Sequence, residues 1–417
     1  MKILVAHPQQ QHSYMLVRAL LKAGHDATYM TTVYGKPGSL TRFSVRILNG
    51  ESRKKAESRY MPDFPDGRVV QRCEFLGLLS LLLLRIDKSK RCYNSLNKWI
   101  DRHFGRKVAR FAQKGSFDAV VCYNEHAQSA FDCLKISSPD IIKILDVSAS
   151  MKPYHAKLFL EDIEATSDLP VSRKKELIEY FINGMSEAFD EVADTDYFLV
   201  PSQHAADSLI YCGATPNRII CCQYGSYFDA ALVSNKTIHN PMRFVYCGRA
   251  SMAKGIHHLM NIFDCCDSAA CELTVIGDYD NSDGFFTSYL EKHTFTGSVL
   301  KEKVKEIMSE QDVMVFPSLT DGMSLACIEG LSCGLPLITT TNNGASDFVD
   351  EGVNGFVLSP GDDEAMLEKV IWCVANPDEV LRMKQAAYNT GKVVSWSAYN
   401  ERIAEAFNQI AFESSNI

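Results

Sequence analysis

A chain of 417 residues, 46% hydrophobic and 23% charged, has room for two domains with cores of their own and is neither a disordered nor a small disulfide-framed protein. Its 14 cysteines make no C-x-x-C, and the adjacent pairs Cys221-Cys222 and Cys265-Cys266 suit neither a metal site nor a disulfide scaffold, so a reducing, cytoplasmic setting is expected. The net charge of −8 hides an asymmetry: residues 42–110 hold 17 Lys and Arg against 7 Asp and Glu, a net of +10, leaving −18 on the rest.

The opening MKILVAHPQQQH reads as a strand and a loop, with an apolar run too short for a signal peptide. Leu16, Val17, Leu20 and Leu21 give a helical pattern over 13–23, ended by Gly24, and a second strand begins at His25. This is a βαβ start, an α/β signature. The loop between the first strand and helix carries His7, Gln10, Gln11 and His12 as side-chain donors, or is simply a solvated polar loop.

The run FLGLLSLLLL, 75–84, is too short to cross a bilayer, which takes ~20 residues. Arg68, Arg72, Arg85, Lys88, Lys90 and Arg91 flank it. It is either a core helix with a basic rim or an anchor on an anionic membrane surface through 68–110. No nucleic-acid motif accompanies the basic stretch, so no such partner is expected. A helix over 93–113 follows, then the strand FDAVVCY with Asn124-Glu125-His126 at its carboxyl end, where open α/β sheets bind ligands. IIKILDV is the next strand and ends at Asp146; His126 and Asp146 are candidates to face an acceptor. Residues 151–194 read as charged and helical with breaks at Pro153 and Pro170. A strand and helix over 197–211 and a short strand at 219–223 close this half, and 230–242 is the expected linker.

The second half opens on the strand RFVYC and a loop from Gly248 to Gly255 that holds Arg249 and Lys254. Two cations five residues apart in a Gly-bounded loop can grip a diphosphate from two sides. LTVIG is the next strand; the Asp278-Tyr279-Asp280 after it is discounted as a metal site. In 316–340, FPSLTDGMSLACIEGLSCGLPLITT, a strand ends, a loop carries Asp321, a helix is expected from Ser324 as N-cap, and Gly334 and Pro336 end it before another strand. Amides near Ser324 and Leu325 would then offer an anion site at a helix N-terminus, with Asp321 and Glu329 close by to accept from sugar hydroxyls. Two more helices and a last amphipathic one (Tyr399, Ile403, Phe407, Ile410) finish the chain.

The segment around Asp321, Glu329 and Cys333-Gly334-Leu335-Pro336 resembles the signature of the family 4 retaining glycosyltransferases, glycosyl transferases group 1, of the bacterial surface-polysaccharide type. Asp321 stands where that pattern has Glu. Gly248-Arg249 with Lys254-Gly255 resembles the family's diphosphate-binding segment residue for residue, and Phe295-x-Gly297-x-Val299 its base-binding loop. Tyr224 to Asp229 matches the family's Asn-Gly-Val-Asp only in part, and the first loop lacks its Gly-Gly pair.

The resemblance implies the GT-B fold: an acceptor-binding Rossmann-like domain over 1–235, a nucleotide-sugar domain over 243–388, an open cleft between them, and a helix at 390–412 crossing back to the first domain. It implies transfer of a hexosyl group, with retention, from a nucleotide sugar to a glycan or polyprenyl-diphosphate-linked acceptor, as in lipopolysaccharide and other polysaccharide synthesis. Catalytic roles then fall to Asp321, Arg249 and Lys254, with His126 added from its position at a strand end rather than from the resemblance. Donor binding falls to Gly248, Arg249, Lys254, Gly297, Val299, Ser324, Leu325 and Glu329, and acceptor binding to His7, Gln10, Gln11 and Asp146. No metal and no other cofactor is implied, and the expected location is cytoplasmic, peripheral on the inner face of the plasma membrane. The alternatives are a GT-B nucleotide-sugar 2-epimerase and a non-catalytic nucleotide-sugar-binding subunit.

Overall fold

The structure, a computed structural model, describes residues 1–417 except 11, 88, 167–184, 227–236, 283 and 415–417. Two all-parallel sheets carry the chain. The first comprises β1 (Lys2–Ala6), β2 (Asp26–Thr31), β3 (Val69–Gln71), β4 (Ala119–Tyr123), β5 (Ile142–Asp146), β6 (Tyr197–Val200) and β7 (Ile219–Cys221). The second comprises β8 (Met242–Cys247), β9 (Cys271–Ile276), β10 (Thr294–Gly297), β11 (Val313–Phe316), β12 (Leu337–Thr340) and β13 (Gly355–Leu358).

The central strands are apolar runs, as a parallel sheet covered on both faces requires. Ile3, Leu4 and Val5 in β1, and Val313, Met314 and Val315 in β11, are fully buried. The strand orders are β3-β2-β1-β4-β5-β6-β7 and β10-β9-β8-β11-β12-β13. Each order reverses direction beside its own first strand, between β1 and β4 and between β8 and β11. Ligands bind outside the carboxyl ends of the strands at such switch points. The loops after β1, β4, β8 and β11 therefore define where a site can form.

The final helix, Trp396–Ser414, returns to the first sheet. Its Ile403, Phe407 and Ile410 are buried, the Phe407 ring lies 5.9 Å from His25, and Tyr197 donates to Glu413 at 2.8 Å. It begins later than the expected 390, because the helix Pro377–Val393 runs on through that position. Pro153 is no break; it sits in the first turn of the helix Lys152–Ala165, where a missing N–H costs nothing. Pro170 lies outside the described residues, as do most of 230–242 and residues 227–229 of the partly matching segment.

The apolar run 75–84 lies in a helix, Glu74–Ile86, that is not a core helix. Only Gly77 and Ser80 of it are buried, while Phe75 is 67% and Ile86 63% exposed. Among the described residues no helix is long and apolar enough to cross a membrane.

Candidate active site

The loop after β8 is held against the loop after β11, and one glycine makes this possible. Gly255 has φ +69°, and a Cβ there would overlap the Pro317 carbonyl. With no side chain at Gly255, the Ala253 carbonyl accepts from Leu319 N at 3.2 Å and Thr320 N at 3.4 Å. This contact brings Lys254 to Asp321, 67 residues on, and Lys254 Nζ donates to Asp321 Oδ2. The two groups that the spacing assigned to diphosphate and sugar thus pair with each other.

Gly248 and Arg249 leave β8 beside Gly277, at the end of β9, where a Cβ would strike the Gly248 carbonyl. Arg249 is exposed, and its carbonyl accepts from the Tyr246 hydroxyl at 2.9 Å. Tyr246 stacks on Phe316 with ring centres 5.1 Å apart, tying the β8 and β11 ends together.

Glu329 is largely buried in the helix Leu325–Ser332, with Lys301 at 3.1 Å. Burial raises its pKa, and the Lys301 charge acts against that rise. Ser324 occupies the N-cap position, but its side chain makes no capping bond. The Asn343 side chain accepts from Ser324 N at 3.4 Å and caps its own short turn by accepting from Ala345 N at 3.1 Å. Gly297, with φ +65°, ends β10 and accepts from Gly277 N at 3.1 Å. Val299 packs on the core of the second domain.

The first domain meets this site through backbone and small polar groups. Ser202 donates to the Gly322 carbonyl at 2.5 Å, and Ser150 and His204 reach Thr320 at 2.5 and 3.0 Å. A Cβ on Gly322 would lie 2.6 Å from the Ser148 carbonyl. His155 and His204, which sequence reasoning missed, both lie within electrostatic range of Lys254. Burial, with the Lys254 charge adding to it, lowers His155 to about 3. Burial lowers His204 to about 4 against the pull of Asp321. Both rings are therefore neutral at ordinary pH. Nothing local in sequence marks them, because Lys254 reaches them only through the domain contact.

The expected acceptor residues divide into separate groups. His7 and His126 come together after β1 and β4, their rings 5.2 Å apart edge to face, with Tyr123 4.7 Å from His7. Gln9 N donates to His7 Nδ1 at 2.8 Å. Burial disfavours the charged form of His126, but the hydrogen bond to Asp101 at 3.0 Å and the carboxylates around it prevail and raise its pKa. Asp146 is buried and held by His12, with Nε2 at 3.1 and 3.0 Å from its two oxygens. His12 in turn meets the Tyr224 hydroxyl at 3.1 Å. So His12, rather than Asp146, lines the adjoining cavity of about 300 Å³, together with Gln10, Tyr14 and Tyr60. Gln10 itself donates to the Ser58 carbonyl at 3.1 Å, and Gln11 lies outside the described residues.

A residue with no sequence signal, Glu191, fixes the His126 loop. Its buried carboxyl accepts from Glu125 N, Ala127 N and Gln128 N at 2.9, 3.0 and 3.4 Å. That holds Glu125 at φ +72°, an unusual backbone for a residue with a Cβ. Burial pushes the Glu191 carboxyl up to about 7 against those three donors.

Two parallel doubly wound domains that meet through loops at the carboxyl ends of their strands, with a helix returning to the first, constitute the GT-B fold. Solved structures of that architecture align along nearly the whole chain. Anabaena HepE in complex with UDP gives a TM-score of 0.61 at 15% identity, covering 98% of this chain and 100% of that one. The apo lipopolysaccharide outer core galactosyltransferase WaaB gives 0.64 at 13%, covering 98% and 99%.

Residues 241–376 match the family described as Glycosyl transferases group 1. The second domain is a glycosyl transferases group 1 domain. Curated relatives include the capsular polysaccharide biosynthesis glycosyltransferase CapM of Staphylococcus aureus, 32% identical over 210 residues, 46% of this chain and 55% of that protein. The sulfoquinovosyl transferase SQD2 of Arabidopsis thaliana is 25% identical over 224 residues, 50% of this chain and 43% of that protein. The chain thus spans about half the length of the curated relatives it matches.

Proposed function

We propose that this chain transfers a hexosyl group from a nucleotide-diphosphate sugar to a glycan or lipid-linked acceptor of surface-polysaccharide synthesis, with retention at the anomeric carbon. The observation that carries the reading is the convergence of Arg249, Lys254, Asp321 and the helix Leu325–Ser332 on one switch point. CapM and WaaB are named as glycosyltransferases of capsule and outer core, and HepE is described with UDP, which supports a nucleotide-sugar donor here.

Arg249 and Lys254 neutralise the diphosphate as it departs, and amides at the start of the helix add to that field. Glu329 accepts from ribose hydroxyls and Asp321 orients the donor sugar. Gly297 and Val299 border the base. His126 and His7 face the acceptor. The positive charge comes from side chains and helix amides, so the transfer step needs no metal.

The test is release of free nucleoside diphosphate from a panel of nucleotide sugars, with and without membrane lipid extract. One donor turned over only with extract, and a product of retained anomeric configuration by NMR, is the expected result. A second reading, a non-catalytic nucleotide-sugar-binding subunit, draws on the Lys254–Asp321 pair, since a lysine already neutralised is a weaker diphosphate ligand. Saturable donor binding without turnover under any acceptor condition would replace the transferase with that reading.

The proposal includes a peripheral site on the inner face of the plasma membrane. Phe75, Leu82 and Ile86 are 67%, 52% and 63% exposed on one helix, and the next helix carries Lys98, Arg102 and Arg106. Apolar side chains beside cations bind anionic lipid surfaces. The chain is expected to float with anionic liposomes at low salt and less at high salt. Failure to float at low salt removes this part of the proposal.

A further inference from the structure

We propose that Asp162, His257 and His258 form a site for a borderline divalent transition-metal ion, typified by Zn²⁺, that bridges the two domains. Asp162 comes from the first domain's helix Lys152–Ala165, and the two histidines from the second domain's helix Ile256–Asp264. His257 Nε2 lies 3.0 Å from one Asp162 oxygen and His258 Nε2 lies 2.8 Å from the other. One ligand atom from each residue falls within 4.8 Å of the others. All three are buried, at 7%, 2% and 4% exposure. They line a cavity of about 570 Å³, which leaves space on one side for water or a further ligand.

Asp363 Oδ1 lies 2.7 Å from His258 Nδ1, the ring nitrogen that faces away from Asp162.

The cation has two further supports. A carboxylate behind the far nitrogen is the usual outer support of a metal-bound histidine. Two imidazole nitrogens and one carboxylate oxygen, with a side open to a cavity, match the three-ligand zinc pattern. Mg²⁺ and Ca²⁺ take all-oxygen sites instead. Because the ligands come from both domains, the ion would hold this domain arrangement and steady the helix that begins two residues after Lys254.

The full chain, stripped with chelator, is titrated with Zn²⁺ alone near neutral pH by calorimetry, and with Co²⁺ by visible absorption. One saturable Zn²⁺ per chain is expected, with Co²⁺ d–d bands and no thiolate charge-transfer band. Asp162→Asn, His257→Ala and His258→Ala should each weaken binding by about tenfold or more. The proposal falls if no saturable site exists, if all three variants bind as tightly as the parent, or if thiolate bands assign the ion to cysteines. Asp162→Asn keeps the side-chain shape and serves where a histidine variant does not fold. Failure of the transferase reading would leave this result untouched, since the titration involves no sugar donor.

Discussion

Lys254→Ala is expected to lower kcat by about 10²–10³-fold while the protein stays folded, because it removes a preorganised positive charge from the leaving diphosphate. The same side chain bonds to Asp321, so its two partners must be separated. Asp321→Asn does that. It leaves Lys254 without the carboxylate that occupies it, so a nucleoside diphosphate no longer competes for the ammonium. Nucleoside diphosphate should bind more tightly to Asp321→Asn than to the parent and more weakly to Lys254→Ala, with turnover reduced in both. Opposite signs in Kd with the same sign in kcat are what a shared site produces. Lys254→Arg keeps the charge but not the compact ammonium, and should recover only part of the loss. Unchanged turnover in Lys254→Ala would sink the diphosphate site.

Much of this site was legible because its parts are local. A buried parallel strand reads as an apolar run, and Gly and Pro mark where it stops, so β8, β11 and β12 could be placed within a residue or two. Gly248, Arg249, Lys254 and Gly255 follow one strand directly; Asp321 and Glu329 follow another. What the sequence does not carry is the partner across the fold. Ser324 stands at the cap position that its spacing predicts, but the group that takes its N–H is Asn343, 19 residues later. Asp146 was placed correctly at a strand end, but His12, 134 residues away, turns out to cover it. Asp162 and His257 lie 95 residues apart in different domains, and no periodicity connects them. The apolar run 75–84 was undecided between core and surface for the same reason. Ten apolar residues fix a helix-length segment but not which neighbours cover it, and few do.

The largest stability loss is expected from Asp312→Ala, about 3–5 kcal/mol, the range for removing one member of a buried ion pair. Asp312 is fully buried at the start of β11. Its carboxylate accepts from Arg243 N at 2.9 Å, His239 N at 3.2 Å and His239 Nδ1 at 3.0 Å. Lys384, 3% exposed, stands 3.8 Å away and donates to the Gln311 carbonyl at 2.5 Å. Burial already lowers the Lys384 pKa, and Asp312 is the first of the groups that hold it up. Alanine at 312 leaves two backbone N–H groups without their acceptor and a buried ammonium without its counter-charge. It also unpins the chain where it enters the second domain. Asp312→Asn retains an acceptor for one N–H but no charge, so its loss should fall between the parent and alanine. Lys384→Met on the Asp312→Ala background removes the stranded ammonium and should restore part of the stability. Denaturant unfolding of the four proteins measures each step. A loss in Asp312→Ala below about 1 kcal/mol, the value of a single ordinary hydrogen bond, would show that the ion pair does not organise this entry point.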